Sequence, residues 1–284
     1  MLSLFTTPSR LSQPTGLRHP AHRLLFPCAG FVLAGIALAF GASAADYPTT
    51  VQGLSNLVGY WQFESATQAN SSVNGYTGSF LGNAAAGAPG SGPPLAGISG
   101  NSALVLDGIG DAVSTNLATD QANGSAATIV AWIRLNRQPS TDPDHNVYQI
   151  AARADKGDDL DFQINPDNLL HFFTDSGTSV ASPDVLPLHQ WMMVAATFDV
   201  GNADPNQWTR ALYIDGRRVA SDKPGMHSAN LAAFTIGYSA VWDNRFFNGD
   251  IDEVALYDRA LSDSEIKSLQ DASGDLIFRS NFSY

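Results

Sequence analysis

Three acids crowd into four positions near the end of the chain: Asp250, Asp252 and Glu253, within the stretch NGDIDEVALYDRAL at 248–261. Carboxylates this close suit one of three tasks. Two of them about 5–5.5 Å apart can serve retaining glycoside hydrolysis as nucleophile and acid/base. Hard carboxylate oxygens together with carbonyls can hold calcium. Or the acids are simply the polar side of a strand. Alternate residues of a strand share a face, so the spacing predicts Asp250 and Asp252 on one side and Glu253 on the other. A second acidic run, DKGDDLD at 155–161, lacks the glycine and glutamate placements of an EF-hand loop and reads as a solvated hairpin turn.

Sugar recognition asks for exposed rings beside amides, carboxylates or cations. Trp61, Trp132 and Trp191 lie inside strand patterns and read as core. Trp208 follows the turn NADPNQ, and Trp242 lies in YSAVWDNRFF beside Asp243, Asn244 and Arg245, with Tyr238 close by. These six are the candidate ligand contacts. Other chemistries lack their residues. Behind residue 44, His145, His171, His189 and His227 show neither H-x-H nor H-E-x-x-H spacing, and there is no G-x-S-x-G elbow. His171 reads as structural and His189 as a turn residue.

The elements that must position these residues begin after a leader. Residues 1–23 hold Arg10, Arg18 and Arg23 and no acid; an apolar run from Leu24 follows and ends at Ala42-Ser43-Ala44. A basic segment, an apolar segment and a small-residue site describe a signal peptide over 1–44, so the protein is expected to be secreted, extracellular, periplasmic or at the cell surface, without stable membrane insertion after cleavage. Cleavage leaves 240 residues, 284 less 44, within the range of one sandwich or barrel domain. The leader takes three of the 15 basic residues and no acid, so 12 remain against 27 acids, a balance of −15. That charge disfavours nucleic acid and anionic membrane. The lone cysteine, Cys28, also lies in the leader, which excludes disulfides, thiolate metal sites and a cysteine nucleophile from the rest.

Most of the remainder alternates as strands do. ATIVAWIRL, 127–135, places Ile129, Ala131, Ile133 and Leu135 on one face and Val130, Trp132 and Arg134 on the other. WMMVAATF, 191–198, is apolar on both faces, as a central strand covered on two sides must be. Asp215-Gly216 between ALYI and RRVA is a hairpin turn signal. One helix is expected, in LSDSEIKSLQ, with Ser262 as N-cap, Glu265 completing a capping box and Leu261 against Ile266 as a staple. The short strands and turn signals give an all-β fold, a two-sheet antiparallel β-sandwich with one short C-terminal helix. Expected boundaries are a linker over 45–56, the sandwich over 57–271 and a tail over 272–284.

The segments LVGYWQFES, NSALVLDGIGDAV, ATIVAWIRL, HQWMMVAATFD, LYIDGRRVA, FTIGY and FNGDIDEVALYDRALSDSEIKSL, in this order, resemble the laminin G-like, concanavalin A-like jelly-roll family over roughly 57–270. The resemblance implies a sandwich that binds carbohydrate, glycoprotein or another protein. It also implies a structural calcium held by Asp252 of the Ile-Asp-Glu-Val strand, with Glu64 as partner, Asn70 where relatives carry an acid, and Asp107 as a further ligand. Hydrolases on this sandwich carry Glu-x-Asp-x-Glu, or the same with one extra residue. The third carboxylate would fall at 254 or 255, which are Val254 and Ala255. The expectation is therefore a secreted, non-catalytic carbohydrate- or glycoconjugate-binding module. The alternatives are an adhesion module that binds protein and, behind it, a divergent glycoside hydrolase.

Overall fold

The computed structural model describes residues 45–117, 125–153, 160–174, 177–225 and 233–274. The expected leader, all but the end of the acidic run at 155–161, His227 and the tail from 275 lie outside them.

Fifteen strands form among the described residues. They are β1 (Leu57–Trp61), β2 (Gly78–Leu81), β3 (Ala85–Ala86), β4 (Leu104–Asp107), β5 (Ala112–Thr115), β6 (Ala126–Leu135), β7 (Tyr148–Ala152) and β8 (Asp161–Ile164). The rest are β9 (Leu170–Phe173), β10 (Ser179–Ala181), β11 (Met192–Asp199), β12 (Thr209–Ile214), β13 (Arg217–Asp222), β14 (Thr235–Ile236) and β15 (Asn248–Tyr257). One sheet runs β13-β12-β11-β6-β15-β4-β3, with β1 also on β15; the other runs β10-β9-β8-β7-β14-β5-β2. Every ladder between named strands is antiparallel. The expected two-sheet sandwich is what forms.

Alternation decides which side chain meets which layer. Ile129, Ala131, Ile133 and Leu135 of β6 point between the sheets, where they pack with Tyr148, Ile150, Phe162 and Phe172 of the facing sheet. Val130 and Trp132 point to the outer side of the larger sheet and join a second apolar cluster. β11 is apolar on both faces for the same reason: Val194, Ala196 and Phe198 enter the inter-sheet core, Met193 and Ala195 the outer one.

Two helices close that outer cluster. The expected one is α2 (Asp263–Ala272), whose Ser262 and Glu265 form both halves of the capping box. Leu261 and Ile266 are buried together in the outer cluster. The other, α1 (Tyr47–Gly53), stands where a plain linker was expected. Seven residues are too few to show an apolar period, and an isolated helix this short is unstable in water. Its stability comes from docking. Tyr47 and Val51 are fully buried, and the Tyr47 ring meets Trp132 edge-on at 6.0 Å. Asp46 caps its start through Thr49 N–H. The Asp215-Gly216 turn carries positive φ at both positions, 46° and 74°, as a two-residue hairpin turn requires.

Candidate functional site

The loop between β14 and β15 is built on a closed stem. Tyr238 and Phe246 form an isolated antiparallel bridge with their rings stacked 6.2 Å apart, and Phe247 N–H donates to Gly237 C=O at 2.9 Å. Phe246 also packs on His145 at 5.4 Å. Above the stem the chain turns tightly, with Arg245 N–H donating to Trp242 C=O, and this exposes Trp242, Asp243 and Asn244. Trp242 is 39% exposed, one of four large apolar side chains so placed among the described residues.

Arg245 ties this loop to the smaller sheet. Its guanidinium lies 4.6 Å from the Trp242 ring centroid and donates 3.0 Å bonds to Asp161 and Gln163 of β8. A cation stacked on an indole holds the ring in place by attraction to the π-face. Asp161 therefore is not part of a solvated turn. It opens β8 and is fully buried: Phe162 and Ile164 fill the inter-sheet core, alternation turns Asp161 and Gln163 to the other face, and there Arg245 lies against them. Gln149 and His171 flank Gln163 in the same register row. The ring nitrogens of His171 bond to Ser179 and Asp167. The polar-apolar rhythm of DFQI marks this row in the sequence, but nothing local pairs it with Arg245.

Four of the six candidate ligand contacts, Trp242, Asp243, Asn244 and Arg245, thus share one loop above the Tyr238 stem. Trp208 does not join them. It precedes Thr209, which pairs with Asp199 and through it with Ala126, whereas the loop enters β15 beside Leu135 at the other end of β6. At about 3.3 Å per residue the two ends are roughly 30 Å apart. The Trp208 indole donates to Asn202 C=O at 2.8 Å and braces its own turn.

The three acids are arranged differently from the alternation expected. Asp252 pairs with Trp132 and Ala255 with Val130, so β15 spends three steps where β6 spends two. This is a β-bulge, and Glu253 sits in it at φ 52°. Ile251 and Val254 still enter the inter-sheet core, so Asp252 and Glu253 fall on the same outer face rather than on opposite ones. Both are fully buried, in the layer that α1 covers. Glu253 accepts a hydrogen bond from the Tyr60 hydroxyl, and its other oxygen has no partner. Asp252 accepts from Glu253 N–H at 2.8 Å and from the Asn101 amide at 2.9 Å. Burial pushes both carboxyls well above their usual range, and the nearby Glu64 charge adds to the rise at Asp252. Asp250 is held by Arg134 at 2.8 Å, yet burial still raises it.

Calcium suits part of this arrangement. Two buried acids without a basic partner gain from a cation, and the Asn101 side-chain oxygen is likewise buried without a partner. Glu64 stands beside them, accepting from Ser102 N–H at 3.3 Å. Asp252 and Glu64 are the residues that could hold a calcium, which would supply positive charge to the acids there, while Asn101 turns its NH2 rather than its oxygen to Asp252. The other two expected ligands are engaged elsewhere. Asn70 accepts from Gly78 N–H at 3.1 Å, and Asp107 accepts from Ile109 N–H at 2.7 Å. Asp107 lies opposite Asn248, four residues along β15 from Asp252, or about 13 Å. No group of three His, Cys, Asp or Glu side chains placed to hold a metal occurs among the described residues. Asn101, which sequence reasoning missed, reaches Asp252 only because the segment before β4 passes beside β15.

A family model described as the concanavalin A-like lectin/glucanases superfamily matches residues 107–267, more than half of the chain. The chain belongs to this superfamily. Solved structures agree on the fold. Domain 4 of an extracellular arabinanase from Geobacillus stearothermophilus, in complex with arabinotriose, is similar with a TM-score of 0.54 and 19% identity, over 76% of this chain and 98% of that one. Trypanosoma rangeli sialidase, solved as a covalent intermediate with 2,3-difluorosialic acid, is similar with a TM-score of 0.56 and 17% identity, over 79% of this chain and 34% of that one. The receptor-binding domain of a botulinum neurotoxin C/D mosaic serotype has a TM-score of 0.57 and 14% identity, over 78% of this chain and 52% of that one. The chain thus spans about a third of the sialidase and half of the toxin domain, and almost all of the arabinanase domain. No curated protein matches it in sequence.

Proposed function

We propose that this protein is a secreted, non-catalytic module that binds carbohydrate or a glycoconjugate through the loop between β14 and β15. The observation that carries the reading is the exposed Trp242 ring, stacked on Arg245 and anchored by it to the buried Asp161. A sugar's apolar face packs on such a ring, while Asp243 and Asn244 are exposed beside it to take hydroxyls. The superfamily and the arabinotriose complex of the similar arabinanase domain support sugar as the ligand class. The non-catalytic reading is supported by the seclusion of the acid cluster. Asp252 and Glu253 are closed off from solvent, and Asp250 is engaged by Arg134. Calcium at Asp252 and Glu64 is its proposed structural ion.

The test is a glycan array probed with the chain from residue 45 onward, with calcium and with chelator in parallel. A defined hit that Trp242→Ala removes supports the reading. A blank array in both conditions, from folded protein, turns it toward a protein ligand at the same loop.

A further inference from the structure

A second concave site lies apart from the Trp242 loop. A groove of about 610 Å³ is walled by the segment joining β10 to β11, by the β12–β13 hairpin and by α2. Its lining is mainly apolar, with Val185, Leu186, Met192, Ile214 and Val219 in it, and Val185 is 55% exposed.

Three further observations say what the groove would hold. First, it opens on β13, the outermost strand of the larger sheet, whose only ladder partner among the described residues is β12. The outer row of N–H and C=O groups on such a strand is a template for an added strand. Second, Val185 is exposed and Val219 half-buried on the groove's walls, where alternate side chains of an added strand would lie. Third, three cations stand at the rim of a chain whose net charge is −12: Arg217, Arg218 and Lys267. Asp263 engages Arg218 and Asp271 engages Lys267, while exposed Arg217 has no acid within ion-pair distance among the described residues. Asp215 is turned inward to Met193 N–H, and Asp184 stands on the wall across the groove, which leaves the Arg217 side as the place for a carboxylate.

We propose that this groove binds an extended peptide segment of a partner protein. The segment adds a strand along β13, sets apolar side chains beside Val185 and Val219, and places an acidic side chain on Arg217. A sugar fits these walls less well, because the one aromatic ring in them, Trp191, is buried and offers no open face to stack on.

The probe is a random decapeptide display library, selected on the chain from residue 45 onward. The expected result is enrichment of alternating apolar sequences with at least one Asp or Glu. Their affinity should fall roughly tenfold in Arg217→Glu and in Val185→Asp, the loss that follows one interface anchor, and N-methylation of alternate amides should abolish binding. Both replaced side chains are exposed, so an unchanged melting temperature verifies the fold of each variant. Trp242→Ala should leave peptide binding intact, which separates this site from the sugar-binding reading. No enrichment, enrichment of basic peptides, or equal binding by wild type and both variants would overturn the proposal.

Discussion

Arg245 stands between a buried carboxylate and an exposed ring: its guanidinium bonds Asp161 at 3.0 Å and lies 4.6 Å from the centroid of Trp242. The arrangement couples the surface loop to the sheet through one side chain. Arg245→Ala should lower stability by more than about 1 kcal/mol, because the buried Asp161 and Gln163 both lose a 3.0 Å guanidinium bond, on the order of 1–3 kcal/mol for a hydrogen bond to a charged group. Trp242→Ala should leave stability within about 0.5 kcal/mol, since the ring is largely outside the core. Denaturant unfolding of both variants, beside the glycan array, distinguishes the anchor from the contact. Equal destabilisation by the two would contradict this division of roles.

Glu253 links stability to pH. Its carboxyl is raised by burial, so the folded state keeps a proton that the unfolded chain releases above the usual glutamate value of 4.5. The unfolded state then binds fewer protons and stability falls as pH rises. This contribution is complete below pH 4.5 and is lost as pH climbs through the folded-state value. Glu253→Gln should flatten the decline and melt higher than wild type at pH 8 in chelator, with the Tyr60 hydroxyl still bonded. Parallel melting curves for the two proteins across pH would remove the argument.

Calcium should oppose that decline. An ion that binds only the folded protein adds about 2.7 kcal/mol at a concentration one hundred times its dissociation constant. Thermal melts with calcium and with chelator should therefore differ in wild type and coincide in Asp252→Ala. An Asp107→Ala variant should keep the full calcium response, because that side chain caps a turn about 13 Å away. A response lost in Asp107→Ala and kept in Asp252→Ala would displace the proposed ion.

The α2 capping box gives a simpler expectation. Ser262 accepts from Glu265 N–H, and the Glu265 carboxylate returns to Ser262 N–H while two bonds from Arg259 hold it down at about 2. Ser262→Ala should lower stability by about 1 kcal/mol. Glu265 has its pKa depressed, so its contribution is present above pH 4.5 and is lost as pH falls toward 2. Glu265→Gln should narrow the gap between neutral and acid melting temperatures; an unchanged gap would rule out the ionic share.

What the sequence determined by itself is what short-range physics encodes. Period-two alternation in β6 and β11 assigned each side chain to its layer, Asp215-Gly216 set a hairpin by tolerating positive φ, and Ser262 with Glu265 started a helix. What only the tertiary structure decided depends on partners distant in the chain. The bulge at Glu253 inserts one residue, and a single insertion carries an acid to the other face, so alternation could not place it. Asp161 and Arg245 meet because β8 lies in the sheet over which the β14–β15 loop folds. α1 exists because Tyr47 and Val51 find a ready apolar surface, and seven residues carry too little local signal to announce that. Trp208 and Trp242 look alike in sequence and lie at opposite ends of β6, since strand order, not residue type, sets which loops share an end of a sandwich.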